Sequence, residues 1–426
     1  MCSQKSKIIF IISILIIASP IKLYAAGFAV DAHSASGLAN SHAGETAGVH
    51  DISDSYANPA VLSDINSPQI SLSASYIKVN IDDDNGGGKY SGGSSISSSK
   101  NNNGGVDAIV PAFHFAAPIN KQLTAGISLT APFALETSYD PNWVGRYQAL
   151  DSKITTTNIN PMLSYKLSNQ LSVAGGLEAQ YAQARLTNMV DTGSLATPNP
   201  FPGAADRLGK AKGDDWGYGF NLGVKYKFNN QLEAGIGYRS KIKHKITGEV
   251  GVINAISASE FNTHFTTPEI ASFGLAYKLT PKTELLYDLA WTRWSRINNI
   301  DIVAQNLRLS TSTKFDWRDS FRNSFGFNYQ KTKELQIRTG LAFEKGVSGR
   351  YRNPRVPEAN KTLVSAGLGY KFNQNFLADL TYMHQFYEKT KNNLAGSDSA
   401  ATSVANLQTD YKLRVDVLAV GLVYSF

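Results

Sequence analysis

The stretch "WGYGFNLGVKYKF" constrains this chain more than any other. Trp216, Tyr218, Phe220, Leu222, Val224, Tyr226 and Phe228 share one parity, and Gly217, Gly219, Asn221, Gly223, Lys225 and Lys227 share the other. Successive residues of a strand point to opposite faces, so one face is large and apolar and the other small and polar. A soluble sandwich alternates too, but it points charge outward and aliphatic groups inward. An aromatic-rich apolar face opposite Gly, Asn and Lys suits a barrel with lipid outside and a polar lumen.

The pattern recurs from about Ile70 to the last residue. Leu171, Val173, Leu177, Ala179 and Tyr181 oppose Glu178 and Gln180; Phe325, Phe327 and Tyr329 oppose Arg322 and Asn328; Leu335, Ile337, Leu341 and Phe343 oppose Arg338 and Glu344. Six short polar turns ("PINKQ", "LSNQ", "FNNQ", "LTPKT", "QKTKE", "FNQN") separate strand pairs. Seven longer loops fall near 80–105, 139–150, 189–212, 247–267, 299–312, 346–360 and 390–408. Those thirteen connections predict fourteen strands, with short turns on one rim and long loops on the other. The expected fold is therefore all-β, a transmembrane antiparallel β-barrel of about 14 strands over 67–426. The last strand, "LAVGLVYSF", puts Leu418, Val420, Leu422, Tyr424 and Phe426 on one face. Lys412, Arg414 and Asp416 share that parity, so either they stand above the bilayer or a bulge switches faces.

The N-terminus reads as export machinery. Lys5 and Lys7 precede the apolar run Ile8 to Ala18, too short to span a bilayer comfortably, and small residues follow at Ala25 and Ala26. A signal peptide over 1–25 is expected, against the alternative of a retained anchor helix. Its removal takes Lys5, Lys7 and Lys22 from 41 basic residues against 34 acidic ones, leaving a net charge of +4 and no cysteine, since Cys2 is the only one. That excludes disulfides, thiolate nucleophiles and cysteine-ligated metals, and gives no sign of nucleic-acid binding.

Several blocks resemble the long-chain fatty-acid transporter family (the FadL/TodX group). They are "AGFAVDAHSASGLANSHAGETAGVHDISDSYANPA", "VPAFHFAAPINKQ", "APFALETSYDPNWVGRYQALDSKITTTNINPMLSYKL", "KGDDWGYGFNLGVKYKF" and "FDWRDSFRNSFGFNYQ", in order over nearly the whole chain after residue 25. The resemblance implies a fourteen-stranded barrel whose lumen is plugged by an N-terminal hatch of short helices and turns, here 26–66. It implies passive outer-membrane transport of hydrophobic molecules, foremost long-chain fatty acids, with aromatic or alkane hydrocarbons as the runner-up. A general porin and a surface adhesin are the alternatives from other classes.

The resemblance also assigns places. It puts a lumenal pocket near Gly27 and Phe28, and makes Asn58, Pro59 and Ala60 part of the hatch beside a defect in the wall. That defect falls in the third strand at "TAPFALETSY", where Pro132, Phe133 and Ala134 interrupt the alternation of Leu123, Ala125, Ile127 and Leu129. Proline cannot donate to the ladder, so a break is expected there, and the resemblance makes it a lateral opening. Family members often carry glycine where this chain has Ala134. The third and fourth external loops, holding Leu195, Phe201, Leu208, Val252, Ile253, Ile256 and Phe261, would form a capture groove; packing against one another as a cap is the alternative.

A carboxylate ligand would want a buried basic partner, and Arg239, Arg322 and Arg338 have inward parity. His33, His42 and His50 are spaced unlike a zinc motif and read as hydrogen-bonded structural histidines, and His114 should point inward to the hatch. Inward Glu178, Asp288, Glu344 and Asp379 are scattered, and no local motif supports catalysis. "DNGGGKYSGGSS" lacks the following helix and Lys-Ser/Thr of a phosphate loop and reads as a mobile surface loop. No cofactor, metal or enzyme activity is expected, and the expected partners are hydrophobic small molecules, outer-membrane lipid and lipopolysaccharide, with the chain a monomer.

Overall fold

The computed structural model describes residues 27–90, 93–98, 103–192, 203, 205–306, 309–348, 352–395 and 404–426. The expected signal peptide and the loop residues Leu195 and Phe201 lie outside them. Strand segments run β1 Gln69–Tyr90, β2 Ala108–Pro118, β3 Leu123–Thr130, β4 Ala134–Ser138, β5 Asp151–Lys166, β6 Leu171–Asp191 and β7 Asp206–Lys227. They continue as β8 Leu232–Arg239, β9 Ile242–Val252, β10 Ile256–Thr267, β11 Ile270–Thr280, β12 Thr283–Thr292, β13 Asn299–Ala304 and β14 Thr311–Lys314. The chain ends with β15 Ser320–Gln330, β16 Leu335–Glu344, β17 Lys361–Lys371, β18 Phe376–Tyr387, β19 Thr390–Ala395 and β20 Val404–Ser425.

Four pairs (β3/β4, β8/β9, β10/β11 and β18/β19) are single interrupted strands, and β13/β14 is an external hairpin. Fourteen antiparallel strands therefore make the wall. It closes where β20 pairs with β1 without a register break from Gln69↔Ser425 to Asp84↔Asp410. The alternation is met residue by residue: Trp216, Phe220 and Leu222 are 48%, 44% and 50% exposed on the lipid face, while Asn221 and Lys225 are buried inside.

Two sequence expectations change. The glycine-rich stretch is not a free loop as far as Tyr90, because Gly87 and Gly88 pair with Gln408 and Leu407 after a bulge. A long partner strand supplies ladder bonds there, and glycine has no side chain to obstruct them. The same extension turns much of the expected loops at 189–212, 247–267 and 390–408 into strand above the membrane. At the C-terminus the unbroken register excludes a bulge below Asp410, so Lys412, Arg414 and Asp416 stay on the outer face. β20 has 22 residues, roughly twice the 9–11 needed to cross a bilayer. Its charged upper part therefore stands outside, where Arg414 meets Asp82 at 2.8 Å.

Within the barrel lies the segment from Gly27 to Asp64. Ser34 caps a short helix, α1 (Ala35–Ala39), Asp51 caps a 3₁₀ turn at Ile52–Tyr56, and Asn58 caps another at Pro59–Asp64. Every residue from 32 to 47 is buried. The plug is bonded to strands around the circumference: Asn40 Nδ2 donates to Thr339 O (2.9 Å), Gly44 N to Asp288 Oδ2 (2.6 Å), and Asn58 Nδ2 to Val224 O (2.9 Å). His114 Nε2 lies 3.1 Å from His33 O. Close approach demands wall glycines: a Cβ on Gly235 would stand 1.7 Å from Thr46 O, and one on Gly340 2.1 Å from Asn40 C.

Charged groups under the plug are paired. Lys225 meets Asp64 at 2.6 Å and Glu233 at 2.8 Å, and Arg338 bonds Asp379 with both side chains buried. Breaking such a pair from one side leaves an uncompensated buried charge, costing about 3–5 kcal/mol. Arg338→Ala should therefore lower the midpoint of chemical unfolding in detergent, and should change fatty-acid and fatty-alcohol binding equally. Selective loss of the acid would return Arg338 to the ligand site. The closed ladder should also make the folded chain run differently on gels before and after boiling; identical migration would be incompatible with this barrel.

Candidate functional site

The site is a defect in the ladder between β2 and β3/β4. β3 pairs with β2 from Pro118↔Thr124 up to Phe113↔Leu129, and there the pairing stops. It resumes only at an isolated bridge, Gly105↔Thr137, beside which Ser138 N donates to Gly104 O at 3.0 Å. Between these two closures residues 106–112 and 130–136 are unpaired with one another, a span of roughly 26 Å along the strand. Pro132 lies in the break between β3 and β4, as expected, and Pro111 lies on β2 across from it. That second proline was the overlooked sequence signal, since a proline inside a central strand already indicates an edge.

On the β3/β4 side of the break, the N-terminal segment takes up part of the orphaned backbone. Ala29 forms a bridge with Phe133, with Val30 N donating to Pro132 O (2.9 Å) and Ala134 N to Phe28 O (3.1 Å). On the other side Phe133 N donates to Thr156 Oγ1 at 3.0 Å. Phe28 is the apolar anchor of this arrangement, its ring centroid 5.9 Å from Phe133, 5.6 Å from Phe265, 4.9 Å from Trp294 and 5.7 Å from Trp317.

A cavity of about 560 Å³ begins here, and Gly27, Phe28 and Ala134 line it, as do Asp107, Ala108, Ile109, Val110 and Pro111. Consecutive strand residues face opposite sides of a sheet. Ile109 is 73% exposed outside and Val110 is 8% exposed inside, yet both border the same space. The cavity therefore passes through the wall between β2 and β4. Inward it reaches Leu38, Val356, Lys361, Gln385 and Tyr387. Glu358, on the segment before β17, also lines it; its carboxylate accepts from Val347 N (3.2 Å) and Ser348 N (2.6 Å), while burial pushes its pKa above the ordinary range. Nearby Arg355 is pushed down to about 10 by burial, and remains a cation that ties this segment to Ser152 Oγ at 2.9 Å.

The expected arginines are elsewhere. Arg239 is bonded to Glu178 and stacked 4.1 Å over Tyr56, Arg322 meets Asp31 at 2.5 Å, and Arg338 is bonded to Asp379. None of the three borders this cavity; Arg239 and Arg322 line a smaller lumenal pocket with Glu45 and Glu344. Inward parity located them in the lumen, but parity does not say how high on the wall a residue sits or which carboxylate already holds it. The cations that do line the cavity are Lys361, 3.1 Å from Glu344, and Lys153, 2.6 Å from Glu136.

The expected neighbourhood of the break is corrected too. Ala60 O accepts from Ser164 Oγ at 3.2 Å, whereas Ala134 pairs with Thr155 on the same strand. Nine residues of β5 separate those contacts, about 30 Å. Asn58, Pro59 and Ala60 thus seat the plug against β5–β8 near the short-turn rim, and Phe28–Val30 sit at the break instead. Of the external residues, Phe261 is buried with Val250, Val252, Ala304 and Leu309, and Ile256 packs against them, while Ile253 is 48% exposed and Val252, Ile253 and Ile256 also line an open depression of about 770 Å³. His33 and His42 both bond Glu45, the ligand atoms of the three lying within 4.8 Å of one another, and His50 bonds Asp54.

The comparisons agree with this architecture. The family model described as outer membrane protein transport protein (OMPP1/FadL/TodX) matches residues 16–426. A long-chain fatty acid transport protein of Escherichia coli is 27% identical over 400 residues, covering 85% of this chain and 87% of that one. A Pseudomonas aeruginosa FadL homologue superposes with a TM-score of 0.87 at 21% identity, covering 94% of this chain and 100% of that one. The Pseudomonas putida toluene transporter TodX superposes with a TM-score of 0.70 at 15% identity, covering 94% and 99%. A lipid-facing barrel with a plugged lumen, matched over almost its whole length, places this chain in the FadL/TodX family of bacterial outer-membrane proteins that transport hydrophobic molecules.

Proposed function

We propose that this chain moves long-chain fatty acids passively from the medium into the outer membrane and onward to the periplasm, releasing them sideways between β2 and β4. The observation that carries this reading is the cavity crossing the wall at Asp107–Pro111. The plug supports it from the other side, because residues 32–47 fill the lumen and bond to strands all round it. An open porin route would require their removal. Residues 1–25 serve as the export signal, and residues 26–66 form the hatch, whose first residues are the gate. Opening requires the loss of two backbone hydrogen bonds, about 0.5–1.5 kcal/mol each, and exposure of Phe28, about 1.5–3 kcal/mol. That sum is small beside the cost of breaking the barrel ladder in lipid.

A tether tests the gate. Ala29→Cys with Phe133→Cys places the thiols on a non-hydrogen-bonded antiparallel pair, with Cα atoms about 4.5 Å apart, within disulfide range. Oxidation should reduce uptake of a fluorescent fatty acid at least tenfold and reduction should restore it, while the single-cysteine variants ignore both. Full uptake with the tether formed would reject the lateral route.

Neutral hydrocarbons are the second reading, favoured by the pairing of both cavity-lining lysines with glutamates. Lys361→Met combined with Glu344→Gln removes the inner pair without stranding a charge. If carboxylates are the substrate, affinity for a fatty acid should fall about tenfold to a hundredfold, from loss of a charged hydrogen bond of about 1.5–3 kcal/mol, while the matching alcohol is unaffected. Equal retention of acid and alcohol favours hydrocarbons.

A further inference from the structure

Outside the lumen, four cations meet on one patch of wall. A depression of about 300 Å³ on the outward face is lined by Lys153, Gln183, Arg185, Lys210 and Lys212 and by no other residue. The strand register explains the crowding: Lys153 pairs with Arg185 across β5/β6, and Arg185 with Lys212 across β6/β7, so three cations stand directly side by side. Lys210 follows one step up on the same face, opposite Thr187. Like charges directly opposite one another oppose strand pairing. Nearby acids compensate only partly. Lys153 is held by Glu136, Glu249 is the register partner of Lys212, and Asp214 lies one step below. Arg185, Lys210 and Lys212 have no ion pair among the described residues and are exposed.

Their height matters. The short turns mark the periplasmic rim, so the Asp206 end of β7 points outward from the cell. Trp216 and Tyr181, with ring centroids 5.3 Å apart, close the aromatic face on these strands. Lys212 is four residues above Trp216, about 13 Å along the strand and roughly 10 Å in height at the usual barrel tilt. The headgroup layer adds about 5–7 Å beyond the hydrocarbon on each side, so the backbone of the row stands about 3–5 Å beyond it and the long Lys and Arg side chains reach back to the headgroup level.

We propose that this row is a binding site for the phosphorylated headgroup of lipid A, the membrane anchor of lipopolysaccharide. Its sugar phosphates occupy that level of the outer leaflet, and a phosphate cluster is the anion that several fixed, unpaired cations on adjacent strands accept together. Lys153 borders both this depression and the wall-crossing cavity. The bound lipid therefore stands at the margin of the window, beside the place where a hydrophobic solute would pass.

The test uses the full folded chain in detergent and the triple variant Arg185→Gln, Lys210→Gln, Lys212→Gln, each shown to be heat-modifiable. Native mass spectrometry with added bisphosphorylated lipid A should find a retained lipid on the parent chain and at least tenfold weaker retention on the variant. Lipid A with one phosphate removed should bind the parent more weakly, and raised salt should weaken binding of both forms. Unchanged retention by the folded variant would overturn the site. Competition by phosphatidylglycerol or inorganic phosphate at the same concentration as lipid A would also overturn it, reducing the patch to a general anion surface.

Discussion

Everything in this molecule answers to one requirement, that no backbone N–H or C=O remain unpaired in hydrocarbon. The wall meets it by closing β20 onto β1 without a register break across the membrane. Once closed, the wall can open only at a place where some other segment can take over its hydrogen bonds. That place is the prolines' stretch of β2 and β3/β4, and the substitute is Phe28–Val30. The plug's first residues thus bond the β3/β4 side of the gap, at Pro132 and Ala134.

The plug is held unequally along its length. Its centre and base are fixed by buried hydrogen bonds to wall carbonyls, by the contacts at Gly235 and Gly340, and by Lys225 bridging Asp64 and Glu233. Its leading end is held by two backbone bonds, one aromatic anchor and the Asp31–Arg322 pair. Local opening follows the weakest contacts. On the proposed lateral route, the leading end moves while the rest of the plug remains seated, and the lumen need not become an open channel.

Charge placement follows the same economy. Buried arginines are consumed in fixing the plug and its surroundings, so the cavity keeps an apolar lining with a few paired polar groups at its inner end. The outer wall shows the contrary case at Lys153, Arg185, Lys210 and Lys212, where four cations crowd beside three acids, Glu136, Asp214 and Glu249. Inside, Lys225, Arg239, Arg322, Arg338 and Lys361 each meet a carboxylate, because burial makes an unpaired charge costly. Outside, solvent and headgroups can supply the counter-charge.

A period of two and the chemistry of proline act locally, so the sequence already carried the fold class, strand number, lipid-facing residues and the break at Pro132. It also located Phe28 near the pocket through resemblance. It could not tell that Arg338 is spent on Asp379, that Ala60 and Ala134 lie far apart along β5, or that Lys361 reaches the cavity. Those facts depend on height along the wall, strand register and which distant residue comes to face which. Parity fixes only the face on which a side chain lies. The three cations of the outer row are separated in sequence by 32 and 27 residues, and only the pairing of β5, β6 and β7 brings them side by side. Tertiary structure decided the site because antiparallel register, set by the closed ladder as a whole, converts distant positions into neighbours.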